Sequence, residues 1–235
     1  MIHFLKALLP HEFRQSLKRA LFAHQDMKTR LANLRRAGFI ASAAVDGGAF
    51  RGEWSRAFWS VWPESPSVMI EPLAVEQPAL NSLAATRKGS LVVAKAISNE
   101  IGEIPFRIEG TNSRIADGSG KHVTVPCTTL DAILGELPGI QPNLLKLDLQ
   151  GYELQALQGC EWHLKQFEVI ILEVSVLKIG NVPLFSEVDH FMAVRGYRLY
   201  DALPQYYRPR DGALWQMDVF FVRENSPLIA SRSWD

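Results

Sequence analysis

Cysteine is almost absent. Cys127 and Cys160 are the only two in 235 residues, which excludes a disulfide framework and a cysteine-based zinc cluster. A reducing, cytoplasmic setting is the expectation. Net charge is also missing, with 25 basic against 25 acidic residues. No global field therefore draws the chain to nucleic acid. No apolar run approaches the roughly 20 residues a membrane-crossing helix needs. The opening MIHFLKALLPHEF lacks a small-residue cleavage site, so no signal peptide is expected. The chain does have apolar residues, at 47%, enough for one sizeable domain with an appendage.

The charge that cancels overall is unevenly placed. Residues 1–38 hold eight Lys/Arg against Glu12 and Asp26. Phe13, Leu17, Leu21, His24, Met27, Leu31 and Leu34 recur at helical spacing. Pro10 suits a helix start and Gly38 a stop. Residues 1–38 are read as a basic amphipathic extension of one or two helices, with residues 39–235 as the main domain. Its basic face is either simply solvated or meets an anionic substrate, partner or membrane surface.

From residue 39 strands alternate with helices, which predicts a doubly wound, mostly parallel sheet. Strands are expected at 39–46, 67–71, 91–97, 144–149 and 169–174. A hairpin is expected from 104–108 and 122–128, around a polar loop at 110–120. Helices are expected at 53–62, up to about 88, 130–137 and 184–194. Strands at 197–200 and 216–222 follow each other directly and should form an antiparallel pair at one edge.

Two stretches carry chemistry. Val45-Asp46-Gly47-Gly48-Ala49-Phe50-Arg51-Gly52 follows a strand and opens a helix, where glycines permit a sharp turn and close approach of a ligand. Glu71 ends the next strand, placed to reach ribose hydroxyls. Together they indicate a nucleoside-containing cofactor. The spacing is not the dinucleotide G-x-G-x-x-G, and Asp46 at the strand end suits an ammonium or sulfonium better than a pyrophosphate. S-adenosylmethionine is thus preferred to NAD, with a ligand-free tight turn as the bland alternative.

The second stretch is Leu144–Glu153, LLKLDLQGYE. Strand alternation puts Lys146 and Asp148 on one face. In a doubly wound sheet Asp148 should finish near Asp46 and Glu71. Asp148 is the candidate for taking a proton from an acceptor hydroxyl, with Glu173 and Lys146 shaping its charge. Lys146 serves equally well as a buried ion-pair partner of Asp148 or Glu173, and Glu153 suits a helix N-terminus. Two acids without a third ligand do not make a metal site, so no metal ligand is assigned, although a divalent ion stays possible. Tyr206, Tyr207, Arg208 and Arg210 suit stacking on a sugar and holding hydroxyls, or else form an ordinary surface loop.

The stretches VDGGAFRGEWS, VMIEPL, VPCTTLD, LLKLDLQGYELQALQG, VIILEVS and QMDVFFVR resemble the FkbM family of S-adenosylmethionine-dependent methyltransferases, in order across residues 40–223. The resemblance implies a class I Rossmann-like fold and methyl transfer, usually to a hydroxyl of a sugar, glycan or secondary metabolite. It implies cofactor contacts at Asp46, Gly48, Gly52, Glu71 and Ser98. Ala49 and Pro72, within the same stretches, are carried along with Asp148. One departure stands out: the family's Gly-Ala-Asn is Gly48-Ala49-Phe50 here, so an amide near the cofactor is lost. Two rival readings are a dinucleotide-dependent oxidoreductase and a non-catalytic domain that binds a partner through its basic helix.

Overall fold

The structure, a computed structural model, describes residues 26–109, 113–115, 122–137 and 139–231. The expected helical residues Phe13, Leu17, Leu21 and His24 lie outside them. The described part of the extension is α1, Met27–Arg36. Asp26 caps it by accepting the Thr29 N–H at 2.6 Å, Arg35 and Arg36 complement its C-terminal dipole, and Gly38 leaves it at φ 98°.

The strands β1 (Ala44–Gly47), β2 (Ser67–Ile70) and β3 (Leu91–Val93) alternate with α2 (Glu53–Val61) and α3 (Gln77–Ala84). Next come β4 (Ala96–Ile97), β5 (Gly102–Arg107), β6 (Arg114–Ile115) and β7 (Val123–Thr128). The second half holds α4 (Leu130–Gly135), β8 (Leu144–Leu147), α5 (Glu153–Gln158), β9 (Val169–Ser175), α6 (Phe185–Ala193), β10 (Tyr197–Tyr207) and β11 (Leu214–Arg223). The main sheet has the order β10-β11-β9-β8-β1-β2-β3. It is parallel from β3 through to β9, and β11 runs against both β9 and β10. This is a Rossmann-like, doubly wound α/β sheet, and the antiparallel pair expected at the end of the chain is β10 with β11.

Apolar alternation places the helices. Val45, Leu145, Leu147 and Ile170 face a core that includes Leu130 of α4, Ala156 of α5 and Val188 of α6. Their neighbours Ala44, Leu144 and Ile171 face the other way, toward Leu31 of α1, Phe58 of α2 and Leu80 of α3. The helix α1 is thus packed on the sheet, and Arg30 pairs with Asp201 of β10 at 2.9 Å.

The structure corrects one expected element and enlarges another. Leu91–Ile97 is not one strand: β3 pairs with β2 in the main sheet, whereas β4 pairs with β7. The expected hairpin is the antiparallel pair β5 and β7, within a four-stranded sheet of order β4-β7-β5-β6. That sheet has its own small core of Ile104, Phe106, Ile115 and Val125. Tyr206 and Tyr207 belong to β10 rather than to a loop. Among the described residues no helix is long and apolar enough to cross a membrane.

Candidate active site

The strand order reverses between β1 and β8, and open α/β sheets bind ligands at that point, outside the strands' carboxyl ends. A crevice of about 690 Å³ lies there. One end is formed by the turn after β1 and the end of β2, with Gly48, Ala49, Phe50, Glu71 and Pro72 in its wall. The other end carries Lys146, Asp148, Gln150, Glu173 and Asp218, with Tyr206 and Trp215 at the rim.

Glycine is required at the turn. Gly48 has φ 78°, and a Cβ there would lie 2.0 Å from the Asp148 carbonyl oxygen. The turn then presents the Phe50 N–H to Glu71 Oε2 at 3.0 Å, while the Leu73 N–H reaches Oε1 at 3.0 Å. Burial pushes the Glu71 carboxyl up, and these two donors pull it back. Each oxygen keeps a lone pair for a further donor. At position 50 the polar contact comes from the backbone, so a phenylalanine serves there.

Not every expected cofactor residue faces the crevice. Asp46 is buried beside it and accepts the Ser55 hydroxyl at 2.6 Å. Burial raises its pKa to about 6, against the Ser55 bond and Lys146, which lower it. Gly52 serves as the left-handed N-cap of α2. Ser98 directly follows Ile97 of the crevice wall but is not itself part of it; its N–H donates to Thr128 and its side chain to Asn99.

The charged end of the crevice continues the α1–α3 face of the sheet. Asp46, Lys146 and Glu173 each come two residues after an apolar residue of that face, and Asp218 comes two before Phe220. In the β9–β11 ladder Glu173 stands directly opposite Asp218, an unfavourable pairing of like charges. Lys146 answers it from the next strand. Its ammonium lies 3.2 Å from Asp218 and 3.4 Å from Asp148, and donates to the Leu147 carbonyl at 3.3 Å. Despite burial, these acids drive its pKa upward. Burial raises the Glu173 carboxyl as well, and Asp148 adds to the rise while Lys146 opposes it.

Lys146, Asp148 and Glu173 are thus brought together, and three further residues join them. Gln150 donates to Asp148 at 2.8 Å and to Glu173 at 3.1 Å, and Gln205 donates to Asp218 at 2.6 Å. A signal for Asp218 is present in the sequence: it is a lone acid inside the apolar run QMDVFFVR, as Lys146 is a lone base in LLKL. Gln150 and Gln205 carry no such mark. Tyr206 packs near Trp215, with ring centroids 6.3 Å apart. Arg208 is instead engaged by Asp211. Among the described residues no group of three or more His, Cys, Asp or Glu is arranged to hold a metal ion.

The sequence profile of the methyltransferase FkbM domain matches residues 46–199, well over half of the chain. The chain belongs to the FkbM methyltransferase family. Its fold is similar to that of a methyltransferase FkbM from Methylobacillus flagellatus KT (16% identity, TM-score 0.51), the match covering 80% of this chain and 47% of that one. This FkbM chain therefore spans about half the length of that relative. It is also similar to the magnesium protoporphyrin IX methyltransferase of Synechocystis PCC 6803, solved with bound SAM (10% identity, TM-score 0.51, covering 88% and 82%). No curated protein matches the sequence significantly. The matched span of the FkbM domain contains both ends of the crevice up to Glu173, while Tyr206, Trp215 and Asp218 come after it.

Proposed function

We propose that the protein is an S-adenosylmethionine-dependent O-methyltransferase acting on a hydroxyl of a sugar, glycan or secondary metabolite. The observation that carries this reading is the Glu71 carboxylate, fixed by two backbone N–H groups beside the glycine turn. In the same crevice stands the lysine–carboxylate cluster.

The residues fit the cofactor. Glu71 has lone pairs for the ribose hydroxyls, and Gly48, Ala49, Phe50 and Pro72 shape the wall around it. Five acids and three bases line the crevice, a balance that suits a sulfonium and an ammonium better than a pyrophosphate. Asp46 supports the site from beneath through Ser55. When bound, the cofactor supplies an electrophilic methyl group, and its sulfur keeps the electron pair of the broken bond.

The protein then has to hold an acceptor oxygen and remove its proton. Carboxylates at the charged end serve as proton acceptors, and Lys146 keeps that group of acids together. The rings of Tyr206 and Trp215, with the amides of Gln205 and Gln216, offer the stacking and hydrogen bonding that a polyhydroxylated acceptor uses. The dinucleotide oxidoreductase reading is not favoured, given the family. A partner-binding domain without turnover would not need so costly a cluster of buried charge.

Calorimetry with S-adenosylhomocysteine and with NAD tests the reading. Micromolar binding of the first and no binding of the second is expected; the reverse would refute the proposal. Transfer of labelled methyl to a panel of glycosides and hydroxylated metabolites then identifies the acceptor class.

A further inference from the structure

The turn after β8 is backbone under strain. Among the described residues only Phe50 and Gln150 have positive φ without being glycine, and Gln150 stands at 54°. Such conformations persist where the surroundings over-determine them, and they gather at functional sites. Glu153 supplies the restraint here. Its carboxylate accepts the Leu149 N–H at 2.8 Å and the Gly151 N–H at 3.1 Å, the two residues flanking Gln150. Gly151 seals the turn from outside, since a Cβ there would meet the Asn181 carbonyl oxygen at 2.8 Å.

The strain has a visible product. It delivers the Gln150 amide between two carboxyls, with Nε2 at 2.8 Å from Asp148 Oδ1 and 3.1 Å from Glu173 Oε2. An amide nitrogen has two N–H groups, and both are used. The other oxygen of Asp148 faces Lys146. Each Asp148 oxygen therefore meets a donor, whereas among the described residues Glu173 receives a donor at Oε2 alone. Around Glu173 stand Asp148, Lys146 and Glu153 from the β8–α5 side and Asp218 from β11. A glycine at position 150 would adopt this φ without strain; glutamine adds the bridge.

We propose that Gln150 is a positioning residue that yokes Asp148 to Glu173 and so makes Glu173 the carboxyl that receives the acceptor's proton, with Glu153 acting through it by pinning the turn. This rests on the methyl-transfer reading. With Glu173 in its ionised form, the acceptor O–H bond breaks and its proton passes to Glu173 Oε1. The oxygen's electron pair forms the new bond to the methyl carbon, and the pair of the broken carbon–sulfur bond stays on sulfur.

The test needs no acceptor. Full-length protein with ¹³C-labelled glutamate carboxyls, saturated with S-adenosylhomocysteine, is titrated by NMR, and the Glu173 resonance is assigned by its loss in Glu173→Gln. Gln150→Gly should melt no lower than the parent and bind S-adenosylhomocysteine within about twofold. Its Glu173 midpoint should still rise by on the order of one pH unit, because a donor to the ionised form is gone. Glu153→Gln should lower the melting temperature, because the turn loses the carboxylate that pins it; the Glu173 midpoint is read in Gln150→Gly, where no charge changes. An unmoved Glu173 midpoint in folded, cofactor-binding Gln150→Gly would overturn the proposal. Failure of the parent protein to bind S-adenosylhomocysteine would instead overturn the methyl-transfer reading on which it rests.

Discussion

The backbone N–H of Phe50 donates to the carboxylate of Glu71 across 3.0 Å, joining the turn after β1 to the end of β2. The Arg51 guanidinium lies over the Phe50 ring, 4.9 Å from its centre, so the side chain at position 50 packs with Arg51 while the backbone orients the acid. Glu71→Ala should weaken S-adenosylhomocysteine by on the order of tenfold or more, the effect of losing charged hydrogen bonds. Phe50→Asn keeps the backbone donor, and asparagine tolerates positive φ. Its affinity should stay within about threefold. Calorimetry on the two variants checks both, and equal losses would contradict a backbone role for position 50.

Gly48 and Asp148 are in contact across the two central strands. A methyl at Gly48 meets the Asp148 carbonyl oxygen at 2.0 Å, with a left-handed φ added. Gly48→Ala should cost about 3 kcal/mol or more of stability, since backbone on both sides has to move. Urea denaturation measures it; a loss under about 1 kcal/mol would show that the strands part easily.

Lys146 is the cation among Asp148, Glu173 and Asp218, and only 4% of its side chain is exposed. Removing one partner of a buried ion pair costs about 3–5 kcal/mol. The Asp148 side chain is 40% exposed, so Lys146→Met should fall toward the lower end of that range. The unpaired acids of the variant bind protons more readily, so its deficit should shrink at acid pH. Denaturation at pH 8 and pH 5.5 tests this, and a deficit that grows on acidification would argue against the cluster. Arginine should not rescue, because its planar fork does not match a point charge held among three oxygens.

Asp46 gives a pH dependence of definite sign. Burial raises its folded pKa to about 6, from 3.8 in a solvated chain. Between those values the folded state holds the proton and the unfolded state does not. Its contribution to stability is therefore complete below pH 3.8 and is lost as pH rises through about 6. Asp46→Asn should flatten the pH–stability curve over that interval by on the order of 2–3 kcal/mol. Denaturation across pH 4 to 7 in both proteins is the measurement.

Much of this site is legible in the order of residues. Period-two alternation puts Lys146 beside Asp148, and the glycine turn with Glu71 follows from residue spacing along two consecutive strand–turn units. Both are local properties, encoded where they act. The break at Lys95 is not legible, because Leu91–Ile97 is one apolar run around that single lysine. What divides it is the choice of partners, β2 for one half and β7 for the other. Ser98 follows that second half, whose Ala96 and Ile97 line the crevice.

Chain order and hydrophobic period by themselves determined the α/β class, the glycine turn and the acids at the strand ends, since each depends on neighbours a few residues apart. Tertiary structure alone decided that Asp218 shares Lys146, that Gln205 holds Asp218, and that Gln150 ties Asp148 to Glu173. Those are hydrogen bonds and ion pairs set by how strands and turns meet in space. Short-range, directional forces select them only after the sheet has set its register.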